Sequence, residues 1–184
     1  MLAVGVVASP RKDGNTSALV EVALQEVAKA GWETETICLE GADIHPCRGC
    51  MACKEDGKCV QEDGMSRVYE AFRKADAVVL GSPVYFATMS GQMKVMVDRL
   101  IALIDSDFRP RIETGKRALL LFAQGDPDTS NYEYGLKPLA VTCEWLGMEV
   151  VGQHVVGGVE TPGEVRGRDE EMERVRELAR RLTE

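Results

Sequence analysis

The sequence predicts one α/β domain built on a doubly wound parallel sheet. Two observations predict it: short runs of aliphatic and β-branched residues alternate with longer amphipathic stretches, and this alternation continues along all 184 residues. Parallel strands buried on both faces have such a composition. Strand and helix in strict alternation then predict a sheet with helices on both faces. No linker or internal repeat divides the chain, so we expect a single domain over residues 1–184.

Five strands and five helices follow from this pattern. The predicted strands are residues 2–8, 34–39, 77–81, 117–122 and 149–156. The amphipathic stretches predicted as helices lie near residues 16–30, 66–74, 91–104, 131–146 and 168–183. In this arrangement the loops that follow the strands meet at the carboxyl edge of the sheet, where doubly wound folds bind their ligands.

Composition and charge narrow the classes of function. A hydrophobic content of 45% lets a chain of this length bury a core of its own. The net charge of -8 argues against a surface for nucleic acid or anionic membranes, because phosphate groups select basic faces. The apolar runs are far shorter than the roughly 20 residues that span a bilayer. Residues 1–8 lack the basic start and cleavage site of a secretory signal, so we expect a soluble, cytoplasmic protein.

A loop with four closely spaced cysteines is the most informative motif, and its members are Cys47, Cys50, Cys53 and Cys59. Three thiolates spaced three positions apart can wrap one face of an inorganic cluster and a fourth can close the cage, as in a [4Fe-4S] centre. We therefore interpret residues 44–61 as a cluster-binding loop. Zinc stays open as an alternative, although zinc sites usually separate two cysteine pairs more widely. Redox or vestigial cysteines also stay open.

The loop after the first strand has the composition of a phosphate site. Hydroxyls, an amide and basic residues lie there together with the backbone N–H groups of a helix start, which attract anions. The candidate phosphate ligands are Ser9, Arg11, Asn15, Thr16 and Ser17. Neither the dinucleotide fingerprint nor the P-loop pattern is present, so a monophosphate fits best. The alternative is that Asn15 or Thr16 merely caps the first helix.

The loop after the third strand suits a flat, electron-accepting ring. Such a ring needs backbone polar groups along its edge and apolar or aromatic walls for its faces. Pro83 stiffens this turn, while Tyr85 and Phe86 offer walls. A plain strand-to-helix connection with buried aromatic residues is the alternative. Residues 123–126, after the fourth strand, form another polar, turn-rich stretch at the same edge.

These segments together resemble the iron-sulfur flavoproteins of the flavodoxin-like NADPH-dependent FMN reductase superfamily. The resemblance rests on residues 9–17, 47–59, 62–65 and 81–86, followed by Met93-Lys94 and Asp98-Arg99. It covers most of residues 1–105 and continues more loosely to the end of the chain. The resemblance implies a flavodoxin-like sheet of five parallel strands in the order 2-1-3-4-5.

The resemblance also implies two redox cofactors, FMN and a [4Fe-4S] cluster. The five candidates of the first loop would hold the FMN phosphate, and the four cysteines would ligate the cluster. The flavin ring would be lined by Pro83, Val84, Tyr85, Phe86, Ala123, Gln124, Gly125 and Asp126. Members of this family form homodimers or larger assemblies, so we expect a homodimer or homotetramer.

The resulting hypothesis is a flavin-dependent oxidoreductase. It would pass electrons from a ferredoxin-like donor, or from NAD(P)H, to a small-molecule acceptor such as O2, H2O2 or a quinone. Two alternatives stay open: an NAD(P)H-dependent FMN or quinone reductase without a cluster, and a zinc-stabilised binding module without redox activity. No catalytic acid or base stands out, since His45 and His154 fit packed or solvated histidines. Lys94, Asp98 and Arg99 fit a solvated or interface face of the fourth helix.

Overall fold

A parallel β-sheet forms the centre of the structure, a computed structural model that describes residues 1–184. Its strands are β1 (Leu2–Val7), β2 (Glu33–Cys38), β3 (Ala77–Tyr85), β4 (Thr88–Met89), β5 (Arg117–Ala123) and β6 (Glu149–Val156). The helices are α1 (Asn15–Lys29), α2 (Cys53–Asp56), α3 (Met65–Lys74), α4 (Gly91–Arg99), α5 (Glu133–Trp145) and α6 (Asp169–Arg180). None of them combines the length with the apolar composition that a bilayer-spanning segment needs.

The sheet is that of a flavodoxin-like α/β fold, but it contains one strand more than the sequence predicted. Five parallel strands lie in the order β2-β1-β3-β5-β6, and β4 pairs antiparallel with the end of β3. The predicted set of five strands in the order 2-1-3-4-5 omits β4, so its strand count and numbering differ from the structure. A two-residue strand is too short to show the alternation by which strands are recognised in a sequence.

Helices cover both faces of the sheet, which confirms the predicted layers. Alternate residues of β1 face opposite ways: Val4 and Val6 pack with α3, α4 and α5, whereas Ala3 and Val7 pack with α1 and α6. In β5, residues 118–122 are completely buried. Burial on both faces explains why this strand has an unbroken apolar sequence instead of an alternating one.

Two elements near the site differ in length from their predictions. β3 continues to Tyr85, four residues beyond the predicted end, and includes Pro83. A proline is tolerated there because β1 pairs with β3 only as far as Gly81, which leaves one side of the strand free. α4 ends at Arg99, and Leu100–Leu103 forms a 3-10 turn instead of continuing the predicted helix 91–104.

Two glycines bring α1 close to the sheet. A Cβ atom at Gly5 would lie only 2.7 Å from side-chain atoms of Val20 and Leu24, and one at Gly81 would overlap the side chain of Val20. A glycine in a strand interior often marks such a close approach of another element. The contact places the start of α1 at the carboxyl edge of β1 and β3.

We expect Gly81→Ala to lower the free energy of unfolding by about 1–3 kcal/mol, because an added methyl group overpacks the contact between α1 and β3. Gly91→Ala is the matched control, since a Cβ there meets no atom within 4 Å. Urea unfolding of both variants and the wild type measures the difference. Equal unfolding free energies for the two variants would contradict the close approach of α1.

Candidate functional site

A cavity of about 330 Å³ lies at the carboxyl edge of the sheet, where the loops after β1, β3, β5 and β6 meet. Its lining comprises Ser9, Arg11, Gly14, Asn15, Thr16, Pro83, Val84, Tyr85, Ala123, Gln124, Gly125, Val159 and Glu160. The volume falls within the range of small-molecule sites in proteins. Three predicted loops therefore converge on one cavity, as the parallel sheet requires.

Three residues predicted for this site lie outside the cavity lining. Ser17 faces a separate surface cavity together with Val7 and Glu21. Phe86 is fully exposed at the tip of the hairpin between β3 and β4. The carboxylate of Asp126 accepts a hydrogen bond from the backbone N–H of Asp128 and so holds its own loop.

The start of α1 offers unoccupied backbone donors to the cavity. Gly14 precedes the helix, and no side chain caps it. The capping alternative for Asn15 and Thr16 is therefore wrong, because both lie inside the helix. The first turn also contains no acidic residue. Free N–H groups at the positive end of a 15-residue helix form a favourable environment for an anion.

The side chain of Asn15 binds the loop that follows β6. Its amide nitrogen donates to the carbonyl of Thr161 at 3.0 Å, and its oxygen accepts from the backbone N–H of Val165 at 3.1 Å. Arg11 fastens the same loop, since its guanidinium donates to the carbonyl of Glu160 at 2.9 Å. No sequence motif marks this loop, so it was absent from the predicted site. Its place in the site follows from the buried amide of Asn15.

Gln124, one of the residues that line the cavity, has an unpaired side-chain acceptor. Its amide nitrogen donates to the carbonyls of Asp126 and Asp128 at 2.9 and 3.0 Å. Its side-chain oxygen is buried and has no hydrogen-bond partner. A buried acceptor without a partner is costly, and a ligand with an N–H group along its edge can supply one.

The hairpin beside the cavity has an unfavourable backbone at its tip. Phe86 and Ala87 have φ values of 48° and 70°, a region that side chains other than Gly rarely adopt. Thr88 holds the hairpin against α5 by donating its hydroxyl to the carbonyl of Gly135 at 2.7 Å. Backbone strain of this kind is typical of functional sites.

The cysteine loop between β2 and α3 is held at both ends and in its middle. The backbone N–H of Gly64 donates to the carbonyl of Asp43 at 3.1 Å. Lys54 donates its ammonium group to the carbonyl of Ile104 at 2.8 Å, and Arg111 donates to the carbonyl of Lys54 at 2.6 Å. These bonds replace the apolar packing that the loop lacks.

All four cysteines of the loop line one small cavity of about 30 Å³, and none forms a disulfide. Cys47 and Cys50 are exposed, whereas Cys53 is buried. Burial raises the pKa of the Cys53 thiol, and the neighbouring sulfur of Cys59 raises that pKa further. No three Cys, His, Asp or Glu residues lie close enough together to hold one metal ion. The four thiols therefore lie around one cavity without converging on a single point.

A buried ion pair lies beneath the cysteine loop. Arg99 and Asp63 have side chains only 1% and 2% exposed, and they form a bidentate pair with distances of 2.7 and 3.1 Å. Arg99 also donates to the sulfur of Cys59 at 3.3 Å. The prediction that Arg99 lies on a solvated or interface face is thus wrong, because it ends α4 and points into the protein. Lys94 and Asp98 form an exposed pair on the same helix.

The ion pair and the hydrogen bonds around it lower the pKa values of Asp63 and Cys59. Burial raises the pKa of Asp63, but hydrogen bonds from Arg99 and from the backbone N–H of His45 outweigh burial and lower the pKa to about 2. Burial likewise raises the pKa of the Cys59 thiol, while the backbone N–H of Gln61 and the Arg99 guanidinium bring that pKa below its ordinary value. The site therefore stabilises the thiolate of Cys59 more than an ordinary cysteine environment does.

The fold and the cavity define a class, namely a flavodoxin-like α/β protein with an uncapped helix start at the carboxyl edge of its sheet. Residues 1–161 match the family described as NADPH-dependent FMN reductase. An iron-sulfur flavoprotein of Archaeoglobus fulgidus is 34% identical over 186 residues, which cover 100% of this chain and 80% of the relative. The chain therefore belongs to the iron-sulfur flavoproteins of the NADPH-dependent FMN reductase family.

Other relatives match over shorter segments. An iron-sulfur flavoprotein of Methanocaldococcus jannaschii is 44% identical over 99 residues, which are 54% of this chain and 51% of the relative. The chain thus spans about half the length of that relative. A solved NAD(P)H:quinone oxidoreductase from Methanothermobacter marburgensis superposes with a TM-score of 0.78 at 16% identity, covering 100% of this chain and 96% of the other. At this identity the superposition establishes the fold.

Proposed function

We propose that the chain binds FMN and a [4Fe-4S] cluster and transfers electrons between a ferredoxin-like donor and a small-molecule acceptor such as O2, H2O2 or a quinone. One observation carries the proposal: the same fold presents an uncapped helix start at its carboxyl edge and four free thiols around a second cavity. The first arrangement suits a phosphate, and the second suits an all-thiolate cluster. The names of the relatives agree with this pair of cofactors.

The carboxyl-edge cavity fits FMN in its chemistry. The backbone N–H groups at the start of α1, with Ser9, Arg11 and Thr16, would hold the phosphate. Asn15 would act indirectly, because its amide is already bound to the loop after β6. The residues that would line the ring are Pro83, Val84, Tyr85, Ala123, Gln124 and Gly125. The unpaired oxygen of Gln124 would accept from an N–H at the polar edge of the ring.

The cysteine loop fits a cluster better than a single ion. In a [4Fe-4S] centre each thiolate binds a different iron, so the sulfurs surround a core and do not converge on one point. Cys47, Cys50, Cys53 and Cys59 all line one cavity, and no three of them converge on a single ion position. When bound, the cluster would supply single-electron exchange, and FMN would supply exchange of electron pairs. The residues of the chain would hold both groups and limit the access of water.

The partners follow from this chemistry. A ferredoxin-like protein delivers single electrons, which a cluster near the surface accepts, and the exposed Cys47 and Cys50 place the loop there. NAD(P)H is the alternative donor.

An apolar groove of about 700 Å³ between α4 and α5 borders Cys47 and carries the exposed side chain of Trp145. Apolar patches of this kind often mark contacts between subunits, so we propose a cytoplasmic homodimer or homotetramer.

One observation favours a second candidate, an NAD(P)H-dependent FMN or quinone reductase without a cluster. The matched family is described as NADPH-dependent, and a nicotinamide cofactor transfers hydride, which a flavin can accept without a cluster. In this candidate the cysteines are incidental. The third interpretation, a zinc-stabilised module without redox activity, disagrees with membership of a flavin oxidoreductase family.

The FMN assignment predicts different effects on FMN affinity for substitutions of two neighbouring hydroxyl residues, Thr16 and Ser17. Thr16→Val should weaken FMN binding about 10–100-fold, since a hydrogen bond to a charged group contributes about 1.5–3 kcal/mol. Ser17→Ala should leave the Kd unchanged, because Ser17 faces another surface. Titration of flavin-stripped protein with FMN, followed by fluorescence, measures both. Equal affinities for Thr16→Val and the wild type would remove Thr16 from the phosphate site.

The cluster assignment predicts that Cys59→Ser lowers the iron content of anaerobically reconstituted protein. The loss follows because an alkoxide is a poor substitute for a thiolate ligand. Cys38→Ser is the matched control, since Cys38 ends β2 and does not line the cysteine cavity. Iron and acid-labile sulfide are quantified in each variant. Equal iron in both variants would favour the reductase without a cluster.

A further inference from the structure

Arg99 donates hydrogen bonds to a cysteine sulfur as well as to the groups that anchor the cysteine loop. Anchoring alone does not explain the bond to the sulfur. One of its terminal nitrogens donates to the carbonyl of His45 at 2.7 Å, and the other donates to the sulfur of Cys59 at 3.3 Å. Both also bind Asp63. The remaining donor, Nε, is buried without a partner. A guanidinium keeps its charge in proteins, so a permanent positive charge lies against the cysteine cavity.

The charge of Arg99 is balanced by one carboxylate only. Asp63 accepts hydrogen bonds from both terminal nitrogens of Arg99 and from the backbone N–H groups of His45 and Met65. The pair is therefore neutral as a whole. It is oriented, because the guanidinium contacts the Cys59 sulfur while Asp63 makes no hydrogen bond to any cysteine. Negative charge that develops on the Cys59 sulfur therefore lies closer to the guanidinium than to the carboxylate of the pair.

We propose that Arg99 positions Cys59 as a cluster ligand and raises the reduction potential of the cluster. The inference rests on the proposed function, because it presupposes a cluster on the four cysteines. Hydrogen bonds to the sulfurs and nearby charge are two of the factors that set iron-sulfur potentials. Reduction adds one electron from the donor and breaks no bond. The added negative charge is stabilised by the guanidinium, so the reduced state gains more than the oxidised state.

Arg111 supplies a matched control within the same loop. It is partly buried, and its guanidinium donates to the carbonyls of Lys54 and Glu55 at 2.6 and 3.3 Å. Its Nε is likewise buried without a partner. It thus fastens the cysteine loop as Arg99 does, but it contacts no sulfur. A purely structural role of Arg99 would give Arg99 and Arg111 variants similar properties.

The test is an anaerobic redox titration of reconstituted protein, monitored by electron paramagnetic resonance, with iron quantified in every sample. Arg99→Met should shift the cluster potential to lower values and weaken cluster binding roughly 10–100-fold, the usual effect of removing a partner of a metal ligand. Arg99→Lys keeps the charge and should restore part of the potential. Arg111→Met should shift the potential less than Arg99→Met.

Variants of Asp63 separate charge from hydrogen bonding. Asp63→Asn leaves the guanidinium without its carboxylate and should raise the potential. The double variant Arg99→Met with Asp63→Asn removes both charges and keeps the net charge, so a lower potential in it reports the loss of the guanidinium beside Cys59 and not a change of net charge. It also avoids an unpaired buried carboxylate, which destabilises a protein strongly. It provides the measurement should Arg99→Met fail to fold.

The outcomes distinguish this inference from the proposed function. Equal potentials in the wild type, Arg99→Lys, the double variant and Arg111→Met would overturn the role of Arg99 and leave the cluster in place. A wild type that takes up no iron on anaerobic reconstitution would overturn both proposals at once. A lowered potential in the double variant, with partial restoration in Arg99→Lys, supports the inference.

Discussion

A parallel sheet ends all its strands at one edge, and the carboxyl-edge cavity depends on this constraint. The loops after β1, β3, β5 and β6 come from distant parts of the sequence, yet they line one cavity because their strands lie side by side. The close approach at Gly81 then sets the start of α1 at this edge. The phosphate-binding role that we propose for the free N–H groups of that helix depends on the position that the sheet imposes.

The cysteine loop is held in place by different interactions. It has few apolar side chains of its own, so polar bonds tie it to the packed scaffold. Arg99 provides the most buried of these ties because α4 packs on the sheet and carries the guanidinium below the loop. The pair with Asp63 is stable in this setting only because its hydrogen bonds are nearly complete. A binding loop and a rigid helix are thereby joined through one side chain.

The sequence predicted the layers of the fold well, because buried parallel strands have an unmistakable apolar composition. It failed where tertiary context overrides local pattern. Pro83 suggested a turn but lies within β3, since that part of the strand has a free side. Arg99 resembled a surface residue, and only the position of Asp63 explains its burial. Glu160 and the loop after β6 carry no motif, so their place in the site could not be predicted.

We propose that one chain holds FMN and a [4Fe-4S] cluster together. The decisive experiment is an anaerobic absorption spectrum of the purified wild type, with flavin and iron quantified on the same sample. We expect flavin bands over a broad iron-sulfur shoulder, with about one FMN and about four irons per chain. Flavin without iron under strictly anaerobic handling would contradict the cluster, and iron without flavin would contradict the assignment of the carboxyl-edge cavity.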